Sequence, residues 1–92
     1  MTDPYDVDVR SMGSREELVA FVRLLADDLV ANAAAWENRT AGAFLGALAA
    51  WLGSADSWAA NMAKHRPDLW MDVEAPSWQL FAEALRVART YE

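Results

Sequence analysis

The spacing of apolar positions changes along the chain, and each change marks a segment. Tyr5, Val7 and Val9 alternate with Asp6, Asp8 and Arg10, a two-residue period that predicts a short extended strap over residues 1–13 with one face against the domain. Ser14-Arg15-Glu16-Glu17 reads as a capping box, in which Ser14 accepts from the Glu17 backbone N–H while the Glu17 carboxylate reaches back. The helix it opens carries Leu18, Phe21, Val22, Leu25 and Leu29 at spacings of three and four, a single stripe. Asn32 is its expected end.

A second helix is expected from Asn38, with Asn38 or Thr40 as its cap. Ala41, Phe44, Leu45, Leu48, Trp51, Leu52 and Ala55 keep one face apolar, Trp58 follows two turns after Trp51, and Met62 comes four residues later. The pattern therefore predicts one helix that passes Gly53 and Ser54 and runs to Lys64, with a kink or stop at Gly53 as the alternative. Pro67 and Pro76 then bracket a polar loop with room for one helical turn at Asp68 to Met71. Ser77 opens the last helix, where Trp78, Phe81, Ala82, Leu85 and Ala88 share a stripe, and Arg86 and Arg89 oppose the negative pole of the helix dipole. The reading is an all-α fold of three main helices, about residues 14–32, 38–64 and 77–91, packed as an antiparallel or splayed bundle in one domain over residues 14–92.

Composition narrows the functions open to such a bundle. Ninety-two residues leave room for one modest core, and 54% hydrophobic against 24% charged residues argues for folding rather than disorder. The net charge of −6 repels phosphate-rich partners, so nucleic acid and anionic membrane are not expected, whereas a basic protein would be drawn in. Cysteine is absent, which removes thiol nucleophiles, thiolate metal sites and disulfides. Residues 1–13 hold three aspartates and no apolar leader, and Ala41 to Leu52 is too short to span a bilayer. A cytoplasmic location is expected.

Four stretches are familiar together: Trp36-Glu37-Asn38, the run from Phe44 to Leu52, Ser77 to Ala82, and the terminal Ala88-Arg89-Thr90-Tyr91-Glu92. Their order and spacing from Ser14 onward resemble the DUF7660 family of small bacterial domains of unknown function. The resemblance implies a soluble helical fold and assigns no reaction. Members carry acids and an aromatic after the helix tryptophan; Asp56 and Trp58 match that pattern, while Ser54 stands where an acid is expected. By analogy of size, acidity and origin, a toxin-neutralising immunity protein is one kind of binder this would fit.

Reactive chemistry is sparse. His65, the single imidazole, lies between Lys64 and Arg66, whose charges oppose both its protonation and a bound cation, so a site with Asp68 and Asp72 is not expected. No catalytic residue, metal or cofactor is assigned. Trp36-Glu37-Asn38 is read as a helix entrance, with Asn38 as cap and Trp36 as hydrophobic staple, and Tyr91 as closing the core against the last arginines or the second helix. Trp51, Trp58 and Trp78 are expected in the core. Trp70 differs, since it sits in the acidic loop and is either a lid over the helices, the preferred reading, or an exposed anchor. The expected function is non-catalytic protein binding through Asp56, Trp58, Asp68, Trp70, Asp72 and Glu74, where acids steer a basic partner and an aromatic holds it. A homodimer through the second helix, or a small ligand-binding or hydrolytic domain, is the alternative.

Overall fold

A computed structural model describes residues 3–91 and contains, among them, four α-helices, four short 3₁₀ turns and no strand. Helix α1 (Arg15–Ala31) starts as expected, with the Ser14 hydroxyl accepting from Glu17 N at 3.1 Å. The reciprocal arm of the box is displaced by one residue, because the Glu17 carboxylate accepts from Gly13 N rather than Ser14 N. Leu18, Phe21 and Leu25 are buried, as their spacing requires.

The long central helix is two helices, α2 (Ala41–Gly53) and α3 (Ala55–His65), joined at Ser54. This corrects the expectation of a continuous helix over residues 38–64. Gly53 is a weak helix former, and the Ser54 hydroxyl turns back to the carbonyls of Ala50 and Trp51, an alternative hydrogen bond of the kind that competes with helix continuation. The Tyr91 hydroxyl lies 3.0 Å from Ser54 Oγ and pins the joint to the end of the chain. Thr40, not Asn38, caps α2, accepting from Ala43 N. Helix α4 (Trp78–Ala88) opens on Ser77, whose hydroxyl accepts from Leu80 N.

The N-terminal segment is not extended. It forms two 3₁₀ turns, Pro4–Asp6 and Val9–Ser11, because the carboxylates of Asp3 and Asp8 each accept the backbone N–H two residues on. The turns put Pro4, Val9 and Met12 into the interior, and the Gln79 side chain donates to the Met12 carbonyl. A third turn follows α1, and a fourth, Pro67–Leu69, is the single helical turn expected in the Pro-bounded loop.

Helix α4 lies at the centre, against α1, α2 and the N-terminal turns. Its contact positions are mostly small, and Ala82, Ala84 and Ala88 are almost wholly buried. The stripe expected to be core is divided: Ala82 and Ala88 face the interior, whereas Trp78 and Phe81 are 40% and 51% exposed, and Trp78 is therefore not a core residue. The core proper groups Val9, Phe21, Leu25, Trp36 and Met71 on one side of α4, and Trp51, Ala55 and Ala84 on the other. Trp58 touches both groups.

Candidate functional site

The acidic residues singled out from the sequence are dispersed and largely engaged in local structure. Asp56 sits in the first turn of α3, where its carboxylate accepts from Ser57 N at 2.9 Å and faces the positive end of the helix. Trp58, two residues on, is half-buried edge-to-face against Trp51, with ring centroids 5.6 Å apart. Asp68 receives both Nε and NH2 of Arg66, at 3.1 and 2.9 Å, and these bonds hold its carboxyl below the usual carboxylate range. Asp72 accepts from Glu74 N, and Glu74 is exposed. Trp70 is 47% exposed, so it does not close over the helices as a lid; it shares a shallow depression with Met71, Asp72 and the cation Arg10. The loop thus brings Trp70 and Asp72 together, leaves Asp56 and Trp58 on α3, and sets basic side chains among its acids.

A buried polar cluster that sequence reading did not anticipate lies between α1 and α4. Asp28 is 2% exposed. Its Oδ2 accepts from Arg89 NH1 at 2.7 Å and from Trp36 Nε1 at 2.8 Å, and its Oδ1 accepts from Asn32 Nδ2 at 2.9 Å. Burial alone would raise this carboxyl, but the hydrogen bonds from Asn32, Trp36 and Arg89, with the Arg89 charge, outweigh it and hold it below the ordinary range. Next to it, Arg86 NH2 meets Glu83 Oε2 at 2.6 Å while NH1 donates to the Val7 carbonyl. The Tyr5 ring covers both guanidinium groups, 4.8 Å from Arg86 and 5.1 Å from Arg89. Arg86 and Arg89 are thus interior ion-pair partners rather than solvent-facing charges at a helix end. The signal was available in spacing: Asp28 falls seven residues after Phe21 and three after Leu25, on the apolar stripe of α1.

Trp36-Glu37-Asn38 belongs to the same assembly. Trp36 is a core residue that donates to Asp28 and also stacks on Phe44 in the first turn of α2, ring centroids 5.9 Å apart, the staple-like contact expected of it. The backbone N–H groups of Glu37 and Asn38 both donate to the Arg89 carbonyl. The Asn38 amide donates to the carbonyls of Ala88 and Tyr91 at 2.9 and 2.8 Å, satisfying acceptors that the end of α4 would otherwise leave bare. Two of the stretches that make the sequence familiar are therefore one structural joint, fastening residues 36–38 to residues 88–91. Apart from the buried Nε atoms of Arg86 and Arg89, which meet no acceptor among the described residues, these polar groups are occupied by one another.

The surface offers something different between α1 and α2. An apolar groove of about 450 Å³ runs there, walled by Val22, Leu25 and Leu29 on one side and by Phe44 and Leu45 on the other, with Leu85 in its floor. Leu45 is 61% exposed, Leu52 47% and Val22 44%, so these three members of the apolar faces expected from the sequence look outward instead of into the core. Arg39 is the charged residue that lines it. Over its whole length, α2 (Ala-Gly-Ala-Phe-Leu-Gly-Ala-Leu-Ala-Ala-Trp-Leu-Gly) carries no polar side chain, although most of its residues face outward. A helix apolar all round is ordinarily covered on all sides; this one is covered on one.

Among the described residues no group of three or more His, Asp or Glu side chains could hold a metal ion, and no helix is long and apolar enough to cross a membrane. No curated protein and no solved structure matches the chain. The model of one family, described as a family of unknown function, matches residues 14–92, the span that holds all four helices and the joint between Trp36-Glu37-Asn38 and the chain end. The chain belongs to the DUF7660 family.

Proposed function

We propose that the domain is a non-catalytic protein-binding module, and that it docks an apolar helix of another polypeptide along α2 and the groove between α2 and α1. The observation that carries this reading is the exposure of Leu45 at the groove's edge on a helix without a polar side chain. Contiguous apolar surface of this kind on a small acidic chain marks an interaction site. The polar groups support the non-catalytic part, since Asp28, Glu83, Arg86, Arg89 and Asn38 are spent on internal bonds.

The test is affinity capture from the native host with the wild-type protein and with Leu45→Glu. The substituted side chain starts from an exposed position, so the fold should survive, as circular dichroism and melting would verify. Partners held by wild type and lost with Leu45→Glu support the reading; identical partners on both baits refute it. A second reading, a basic partner held at the loop, is favoured by exposed Trp70 beside Asp72. It predicts losses with Trp70→Ala and Asp72→Ala, and with rising salt, rather than with Leu45→Glu.

A further inference from the structure

Docking of a helix on α2, if that reading holds, leaves the identity of the incoming helix to be decided. We propose that it is α2 of a second copy of this chain, packed antiparallel about a two-fold axis.

Charge supplies the first argument. Two chains of net charge −6 repel each other across most pairs of faces, and α2 is the 13-residue element that presents none. The charges that flank it have opposite sign: Arg39 lies two residues before the helix and Asp56 three residues after it. Both are exposed, and neither joins an ion pair among the described residues. Their midpoint falls beside Ala47, the centre of α2. A two-fold axis through that centre sets Arg39 of one copy against Asp56 of the other, and repeats the pair on the far side. It also runs the two helix dipoles in opposition, with each positive end beside a negative one.

Shape supplies the second. At 3.6 residues per turn, Gly42, Gly46, Ala49 and Gly53 fall within about 60° of one another, opposite the buried Ala47 and Trp51. Leu45 and the half-exposed Leu52 line one border of that face. A Cβ built on Gly42, Gly46 or Gly53 would meet no heavy atom within 4 Å, so packing inside the chain does not require glycine, a poor helix former, at these places. Across a two-fold axis the leucine ridge of each copy faces the shallow channel of the other, a self-complementary fit of ridge into groove.

Area sets the strength. A helix of 13 residues is about 20 Å long, and a single helix pair with the adjoining groove margin falls short of the roughly 800 Å² per partner of a standard interface. The dimer is therefore weak, with a dissociation constant on the order of 10 µM or above.

Sedimentation equilibrium between about 1 and 500 µM, a range that brackets this constant, tests the proposal. Wild type should move from the mass of one chain toward that of two. Leu45→Glu and Gly46→Glu, both at open positions, should stay at one chain while keeping the wild-type circular dichroism. Arg39→Glu and Asp56→Arg should each weaken association about fivefold or more, given two exposed ion pairs lost per dimer, and the two together in one chain should restore it. Wild type at the mass of one chain throughout, association of the glutamate variants equal to wild type, or no restoration in the double variant overturns the proposal. An apolar fluorescent dye separates the two readings. A monomeric wild type that binds the dye in a Leu45-dependent way loses the dimer but keeps the docking surface, and one that binds no dye loses both.

Discussion

Removing the Asp28 carboxylate exposes how the interior between α1 and α4 is balanced. Asp28→Ala deletes the acceptor for Arg89, Trp36 and Asn32 in one step. What remains is the charge of Arg89, a residue 7% exposed, with the Trp36 N–H beside it equally bereft. Breaking a buried ion pair from one side costs about 3–5 kcal/mol, since the surviving charge keeps its desolvation penalty. A chain of this length has a total stability of about 5–14 kcal/mol, so the variant should lose a large share of it. In urea, with a slope of about 1 kcal/mol/M for a small domain, the midpoint should fall by about 3 M. Asp28→Asn retains acceptors and should cost less, about 2 kcal/mol. Adding Arg89→Met to Asp28→Ala removes the stranded charge, so the double variant should be less damaged than the sum of the single ones. The pH dependence has a definite sign. The Asp28 carboxyl is held below its ordinary value in the folded chain, so its contribution is complete above the unfolded value of about 4. It is lost as pH falls from there through the lower folded value; the acid limb of the wild-type stability curve should be shallower in Asp28→Ala. A midpoint for Asp28→Ala within about 1 M of wild type, or strictly additive losses, would refute this account of the interior.

Other substitutions probe separate parts of the fold. Gly46→Ala adds a methyl where nothing lies within 4 Å and should stabilise the chain by about 1 kcal/mol, raising the melting temperature at low protein concentration by about 4–8 °C; a lower melting temperature would contradict it. Asn38→Ala strips two hydrogen bonds from the end of α4 and should cost about 1–3 kcal/mol, with amide exchange accelerated first at residues 88–91. Tyr91→Phe removes the link to Ser54 and should cost about 1 kcal/mol in a denaturant titration.

Helix starts were legible because their signals are local. Ser14 and Ser77 cap where the sequence predicts, and Leu18, Phe21 and Leu25 face inward as their spacing requires. The break at Ser54 was less legible, since a serine hydroxyl bonding to its own helix competes with seven residues of apolar pattern continuing to Trp58 and Met62. The outward turn of Trp78 and Phe81 could not be read from α4 at all. Periodicity says that a helix has an apolar stripe; which sides are covered depends on how many neighbours surround it, and α4 has three. Polar residues misled for a related reason. Arg86 and Arg89 look like helix-end charges until Asp28 and Glu83, the former 61 residues away from Arg89 along the chain, are placed beside them. Of the residues named for binding, Trp70 and Asp72 meet at one depression, while Trp58 leans on Trp51, a contact two turns along the sequence that the intervening break at Ser54 reshapes.

The central place of α4 bears on how the chain folds. Arg86 reaches the Pro4 and Val7 carbonyls, Arg89 reaches Asp28, and Asn38 closes on Ala88 and Tyr91, so segments from early, middle and late in the sequence are fastened together through this one helix. Until α4 docks, the Asp28–Trp36 pair lacks the Arg89 charge, and α1 with the turn packed on it lacks the face it shares with α4. Closure of the fold therefore rests on contacts between residues far apart in sequence, which form more slowly than the local caps that start each helix.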